Sequence, residues 1–510
     1  MQRGPLVQDA LVKSAEDRPG KVAVRAEDGE ATFAELLSHS LSLAASLQNA
    51  GLQAGDRVAL FMENSLACAT AVFGVLFAGG TFVMVNAQTK EDRLTYILDD
   101  CGAAFLVSEG PISRVAVEAR NAAAQAPKLV FARGTGDVVS EGSEFGQMTE
   151  EEDEPRPSAA ESSDPAALLY TSGSSGTPKG VMLTHSSLDF VIASIAQYLR
   201  LGSDDRILNV LPMAFGYGLS QLLLTARLGS SLVLERSFTY PAQTLRALEA
   251  NEATVFPGIP TIFATLSSLF GEVGKTYPSV TRITSAAAAL PPALHAPLHK
   301  LFPNALIFRM YGQTECIRVC YLEPELIDDK PTSVGKAIPG TEAFVLDDDG
   351  RPVPPGVVGT LYVRGPHVMR GYWNATDLTA TMISSRDGAP VLCTHDLFTT
   401  DEDGDLYFVS RSDEIIKTRG EKVSPMQVEN VLFALPGVKE AAVVGVPDER
   451  LGEAIRAYVV REEGSTLEGA QVVRACREQL EAFAVPHEVR FVDDLPKTPS
   501  GKVRRKSLPA

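Results

Sequence analysis

Cysteine is sparse in this chain and never paired. The six residues, Cys68, Cys101, Cys316, Cys320, Cys393 and Cys476, are spread over 510 positions with no C-x-x-C. Cys316 and Cys320 are spaced i,i+4, with no nearby histidine to complete a zinc set. This pattern argues against a disulfide scaffold and predicts buried free thiols in a reducing compartment. Positive charge is also short: 46 basic residues against 64 acidic ones leave a formal charge of −18. Nucleic acid as a partner is disfavoured, because its binding rests on neutralising phosphates with Lys and Arg. A local basic pocket for a nucleotide is still allowed. The start, MQRGPLVQDALVKSAEDRPG, has no apolar leader segment, and the end, SLPA, is not a peroxisomal address. The expected location is the cytoplasm.

A long uninterrupted apolar run is missing too. Asn64 to Thr89 carries no charge, which is length enough to span a bilayer. Gly79-Gly80 divides it, however, and small and polar residues dilute it. It predicts a buried helix followed by a buried strand, and no membrane span.

What is present is a regular alternation of apolar strand-like runs (RVALFME, TFVMVN, AAFLVSE, KLVFAR, SLVLER, ATVFPG) with amphipathic helical runs. That order predicts an α/β chain with mostly parallel sheets. Gly136 to Pro165 is rich in Ser, Glu, Gly and Pro and predicts an exposed connecting loop. After RSDEIIK the composition resets, with strands EAAVVGVP and EAIRAYVV, a helix GAQVVRACREQL and a basic tail. The expected division is a large domain over 1–412 and a small α+β domain over 413–510.

The stretch LLYTSGSSGTPKGVMLTH, Leu168 to His185, carries the chemistry. AALLY predicts a buried strand, and VMLTHSSLDFVIASIAQYL predicts a helix opened by Ser186 and Asp189 as a capping box. Between them, Thr171, Ser172, Gly173, Ser174, Ser175, Gly176 and Thr177 offer hydroxyls and a backbone free to curl into an anion-binding nest. Lys179 adds a point charge for phosphates. A Walker A loop fails here, since Pro178 stands where the second glycine belongs. A nucleophile elbow fails because Thr177 replaces its final glycine.

TSGSSGTPKG resembles the phosphate-binding signature of the adenylate-forming (ANL) superfamily, which includes acyl- and aryl-CoA ligases, peptide-synthetase adenylation domains and firefly-type luciferases. Further matches follow in order. YGQTEC, Tyr311 to Cys316, resembles Y-G-x-T-E. By that resemblance Tyr311 and Gly312 flank adenine, Thr314 meets the α-phosphate and Glu315 binds Mg²⁺. THDLF with RSDEIIK resembles T-G-D … G-R-x-D, so Asp396 would accept from the ribose hydroxyls with Arg411 nearby. His395 stands where the superfamily has glycine. PSGK near the C-terminus matches the motif of the catalytic lysine, here Lys502. The resemblance implies a large multi-subdomain N-terminal domain and a small mobile C-terminal domain hinged at Asp413. Arg419, Gly420, Glu421 and Lys422 would face CoA in a second pose.

The implied chemistry is activation of a carboxylic acid by ATP with Mg²⁺, giving an acyl-adenylate, then transfer to the thiol of CoA or of an acyl carrier protein. Phe215, Gly216 and Tyr217 in LPMAFGYGLS align with the acid pocket, as do Ala286, Ala287 and Ala288 in TSAAAAL. Peptide-synthetase domains place an aspartate at the position of Gly216, so an α-amino acid is disfavoured. Ala287 and Ala288 replace frequent glycines, and their methyls favour a flat aryl acid of benzoate type. A medium- or long-chain fatty acid, carrier-protein loading and a luciferase-like oxygenase stay open as alternatives.

Overall fold

The computed structural model describes residues 4–132, 143–150, 154–172, 177–412, 414–419, 421–448, 450–498 and 503–508. Among these residues the strands make four sheets. One has eight strands in the order Gly371–Tyr372, Pro178–Thr184, Pro165–Ser172, Thr81–Asn86, Arg57–Met62, Ala103–Glu109, Lys128–Ala132 and Ser143–Glu144. A second has nine strands, including Arg206–Asn209, Val255–Gly258, Arg282–Ser285 and Leu306–Tyr311 in parallel. Parallel neighbours dominate both, as the strand–helix alternation predicts.

Between these sheets lie helices that the sequence marks as buried all round. Leu66–Phe77 contains no charge, and it touches Arg57–Met62 and Thr81–Asn86 of one sheet and Val22–Ala26 of the other. Val72, Phe73, Val75 and Leu76 are fully buried there. Each such side chain contributes about 1.5–3 kcal/mol by leaving water. The helix ends at Ala78 and the strand Thr81–Asn86 follows, so the uncharged run is core. No described helix is long and apolar enough to cross a membrane.

The third sheet is antiparallel and holds Glu342–Leu346, Gly359–Arg364, Ile383–Arg386, Ala389–Thr400 and Leu406–Arg411. The fourth starts at Ile416–Thr418, has a separate core around Val428, Val443, Ile455 and Val459, and carries Pro425–Phe433 and Gly469–Gln479 on it. The long strands Val438–Asp448 and Gly452–Arg461 pair along their whole length.

Two local expectations need correction. VMLT is not the start of a helix. Pro178–Thr184 alternates buried and half-buried residues and pairs antiparallel with Pro165–Ser172, so the Ser/Gly loop closes a hairpin. The helix His185–Tyr198 begins only after it. Its capping box uses Thr184 and Ser187, two residues before Ser186 and Asp189, and Asp189 instead pairs with Arg227. Strand pairing overrode an apolar spacing that fits either state. The stretch 136–165 is also more than a loop: Phe145–Glu150 is a helix that buries Phe145 and Met148.

Candidate active site

In open α/β sheets, ligands gather at the carboxyl ends of the strands. Leu306–Tyr311 runs into Gly312–Glu315 there, and Arg282–Ser285 runs into Ala286–Ala288. Gly312 has a structural reason: a Cβ there would sit 2.5 Å from the Ile317 carbonyl oxygen. No other residue lets the chain double back so closely.

From this turn, Tyr311 reaches across to the third sheet. Its hydroxyl donates to Asp396 Oδ2 at 2.5 Å, and Gln313 Nε2 donates to the same oxygen at 2.9 Å. Gln313 also donates to the Thr394 carbonyl at 2.9 Å. Burial first, and the Asp396 carboxylate second, hold the Tyr311 phenol well above its ordinary pKa, so it stays a donor at neutral pH. The other carboxylate oxygen, Asp396 Oδ1, is buried and accepts no hydrogen bond. Arg411 pairs across the strands with Asp396, and its Nη1 lies 3.7 Å from Oδ1, beyond hydrogen-bond reach. A buried carboxylate oxygen without a donor is costly, and it accepts any hydroxyl brought to it.

Glu315 completes a second cluster. Its Oε1 accepts from the Tyr372 hydroxyl at 2.6 Å, and no described donor takes Oε2. Lys179 Nζ lies 5.9 Å from the centre of the Tyr372 ring. Gly371–Tyr372 pairs with Val181 and Met182 at the hairpin edge, which explains how Tyr372 comes beside Lys179. Thr171 stands opposite Lys179 in that hairpin, and Ser172 opposite Pro178. Gly173, Ser174, Ser175 and Gly176 lie outside the described residues, and Thr177 is exposed. Tyr372 and Gln313 are residues the motif reading passed over. Gln313 lies inside YGQTEC, where the motif gives it no role, and Tyr372 lies outside the motifs named above.

On the acid side, Phe215 precedes the helix Gly216–Leu228, and Tyr217 donates to the Thr284 carbonyl at 2.8 Å. The space a Cβ would take at Gly216 is filled by Ile317 Cδ1 at 2.5 Å. Ala286 is buried, Ala287 half-buried and Ala288 exposed.

The C-terminal candidates divide. Lys502, Asp413 and Gly420 lie outside the described residues. The described stretch 503–508 is held by a bridge between Lys497 and Val503 and by a bond from Arg504 N–H to the Pro496 carbonyl at 2.7 Å. Arg505 anchors it to Glu414 and the buried Glu429. Exposed Arg419 bonds the Leu451 carbonyl and His487 of its own sheet, and Glu421 is exposed beside it. The backbone of Lys422 continues that hairpin opposite Lys417.

The sequence signature of AMP-binding enzymes matches residues 11–373, and that of the AMP-binding enzyme C-terminal domain matches 427–502. The chain belongs to the AMP-binding enzyme family. It is 32% identical over 494 residues to a feruloyl-CoA synthase of Amycolatopsis sp, covering 96% of each chain. It is 30% identical over 530 residues to a long-chain-fatty-acid–CoA ligase of Bacillus subtilis (strain 168), covering 98% of this chain and 94% of that one. The fold is similar to that of an anthranilate CoA ligase in complex with anthranoyl-AMP, at TM-score 0.90 and 26% identity, covering 99% and 97% of the two chains.

In this AMP-binding enzyme, two of the positions where the resemblance leads one to expect glycine carry side chains in left-handed backbone. His395 has φ +55° and Ala287 has φ +72°. Side chains adopt that left-handed region at a cost of about 1–2 kcal/mol. His395 gains a contact in return. Its Nδ1 lies 3.8 Å from Cys393 Sγ, on the strand face away from Asp396. The bond to Cys393 pushes the imidazole up. Burial alone would raise the Cys393 thiol, but the hydrogen bonds from His395 outweigh it, and the net shift is downward. Cys393 is also half-buried, whereas the other five thiols are buried. Burial pushes Cys101 and Cys316 up to about 12 and Cys476 to about 11. Iodoacetamide at pH 7, followed by peptide mass analysis, therefore labels Cys393 at least ~10-fold faster than any other cysteine. Preferential labelling of any of the other five would contradict this.

One further acidic group needs no metal. Asp401, Asp403 and Asp405 converge, but the Lys330 ammonium sits among them at 2.8, 2.7 and 2.5 Å.

Proposed function

We propose that this enzyme is an acid–thiol ligase that activates a carboxylic acid with ATP and passes the acyl group to the thiol of CoA. The observation that carries the reading is Asp396 Oδ1, buried without a hydrogen bond among the described residues, with Tyr311 and Gln313 holding its partner oxygen. That acceptor suits a ribose edge. It connects through Tyr311 and Gly312 to Glu315 and Tyr372 beside Lys179, where phosphates would lie.

In the first step an oxygen of the acid attacks the α-phosphorus of ATP, the bond to the bridging oxygen breaks, and pyrophosphate leaves. Two anions must meet, so charge is the obstacle. The backbone and hydroxyls of Thr171 to Thr177, the ammonium groups of Lys179 and Lys502, and Thr314 oppose it. The Glu315 carboxylate has one committed oxygen and one free, a hard donor fitting Mg²⁺, which would screen phosphate charge when bound. Asp396 and Arg411 would hold the ribose, with the Tyr311 ring at adenine. In the second step the thiolate attacks the acyl carbon, the bond to AMP oxygen breaks, and AMP leaves; the thiol proton passes to solvent. In the first pose the Lys502 segment would reach the phosphates. In the second pose, reached by turning at Asp413, Arg419 to Lys422 would replace it. The proposed division is 1–412 and 413–510.

For the acid, Ile317 filling the space at Gly216 opposes an α-amino acid anchored there, and the Ala287 methyl narrows the wall. An aryl acid of benzoate type is preferred. The fatty-acid relative keeps an alkyl acid as the second reading.

Pyrophosphate release is the test, run over aryl and alkyl acids with and without CoA. Release with a benzoate-type acid, rising with CoA, is expected. Release with alkyl acids alone would move the substrate class. Indifference to CoA would favour a carrier protein, and light with oxygen uptake would favour a luciferase-like oxygenase. ADP as product would overturn the ligase.

A further inference from the structure

Arg318 is 2% exposed, and its guanidinium carbon lies 5.1 Å over the ring of Tyr217. It forms no ion pair and no side-chain hydrogen bond among the described residues, and its Nε is sealed without an acceptor. The comparison within the chain is direct. Arg309, 3% exposed, gives its terminal nitrogens to the Ser333 and Leu290 carbonyls and to His295. Arg282 has Asp205 and the Arg200 carbonyl. Of these three, only Arg318 makes no side-chain hydrogen bond or ion pair among the described residues.

Its surroundings supply no counter-charge. The titratable groups that feel it are Tyr198, Tyr217, Cys316 and Cys320. Burial raises all four; Tyr198 and Cys316 reach about 12, so all stay neutral. The nearest acid in sequence, Glu315, is engaged by Tyr372. The backbone also holds Arg318 in place against strain. Its N–H donates to the Cys316 carbonyl at 2.6 Å, around Ile317 at φ +62°. A β-branched residue in that region is a strained three-residue turn, of the kind that persists at functional positions. Ile317 lies against Gly216, and Arg318 against Tyr217, the residues expected on the acid side of the site.

We propose that the substrate acid carries a second anionic group at its far end, and that Arg318 receives it. The substrate class is then a dicarboxylic or sulfo-carboxylic acid, on a benzoate-type ring under the preference above. A guanidinium fork matches two carboxylate or sulfonate oxygens at once, which a lysine does not. One carboxylate goes to the α-phosphorus and the other stays with Arg318. This inference rests on the ligase reading and narrows it.

The experiment compares matched pairs by pyrophosphate release: benzoate with the benzene-1,3- and 1,4-dicarboxylates and 4-sulfobenzoate, and alkyl monoacids with diacids of equal length. The wild-type enzyme is expected to favour a diacid or sulfo-acid by on the order of 10²-fold in kcat/KM, as when a site's buried donors are left unpaired. In Arg318→Met that preference ratio collapses toward unity, and Arg318→Lys restores part of it, with the KM for ATP as the check on folding. The wild-type panel stands without the variants should they misfold. Pyrophosphate from monoacids at equal or better efficiency leaves the ligase standing and overturns the inference. No pyrophosphate from any acid overturns both.

Discussion

Lys502→Ala loses acyl-adenylate formation by at least about 10²–10³-fold, yet still converts supplied acyl-adenylate and CoA to thioester. The magnitude follows from removing one preorganised donor from a site where charge builds between two anions. The selectivity follows from architecture. The described residues on either side of Lys502 are tied to the small sheet: Lys497 bridges Val503, and Arg505 pairs with Glu414 and Glu429. Exposed Arg419, in the segment proposed to face CoA, bonds within its own sheet. Only one face of the small domain meets the site at a time on this account, so the lysine serves the first half-reaction alone. Pyrophosphate exchange measures the first step, and thioester yield from synthetic acyl-adenylate measures the second. Equal loss in both would mean that the lysine supports the fold or both poses, and the alternation would fail.

Asp396→Asn raises the KM for ATP by roughly 10–100-fold, since a hydrogen bond to a charged group is worth about 1.5–3 kcal/mol. Tyr311 and Gln313 both donate to Oδ2, so the amide oxygen of asparagine takes that side and its NH₂ takes the place of Oδ1. A donor then faces the ribose where an acceptor stood. The check is a cycle with 2′,3′-dideoxy-ATP. The wild-type enzyme discriminates against it by a similar factor, and the variant much less, because the two changes remove the same contact. Additive losses would put the ribose elsewhere.

The sequence carried the chemistry further than it carried the local geometry. Parallel sheets, the buried helix at Leu66–Phe77 and the small C-terminal unit follow from alternation, absent charge and a composition reset. Residue types with fixed spacing marked Tyr311, Glu315, Lys179 and Asp396, because the roles proposed for them need a ring, a hard oxygen, a cation and an acceptor. The Ser/Gly loop was misread as strand-to-helix, since KGVMLT shows apolar spacing that a strand and a helix share, and only pairing with Pro165–Ser172 decides. Tyr372 and Arg318 were invisible for another reason. Their importance lies in what stands next to them, Glu315 and Tyr217, which are 57 and 101 positions away by their own numbering. His395 and Ala287 looked like lost glycines. Their positive φ values show a left-handed backbone that a side chain adopts only under strain.

The central claim is that the acid's own oxygen becomes bonded to the α-phosphorus. It is tested by turnover of an acid labelled with ¹⁸O in the reacting carboxylate, followed by mass analysis of the nucleotide. The account predicts one ¹⁸O in the phosphate of AMP and none in pyrophosphate. Unlabelled AMP, or label appearing in inorganic phosphate beside ADP, would contradict it.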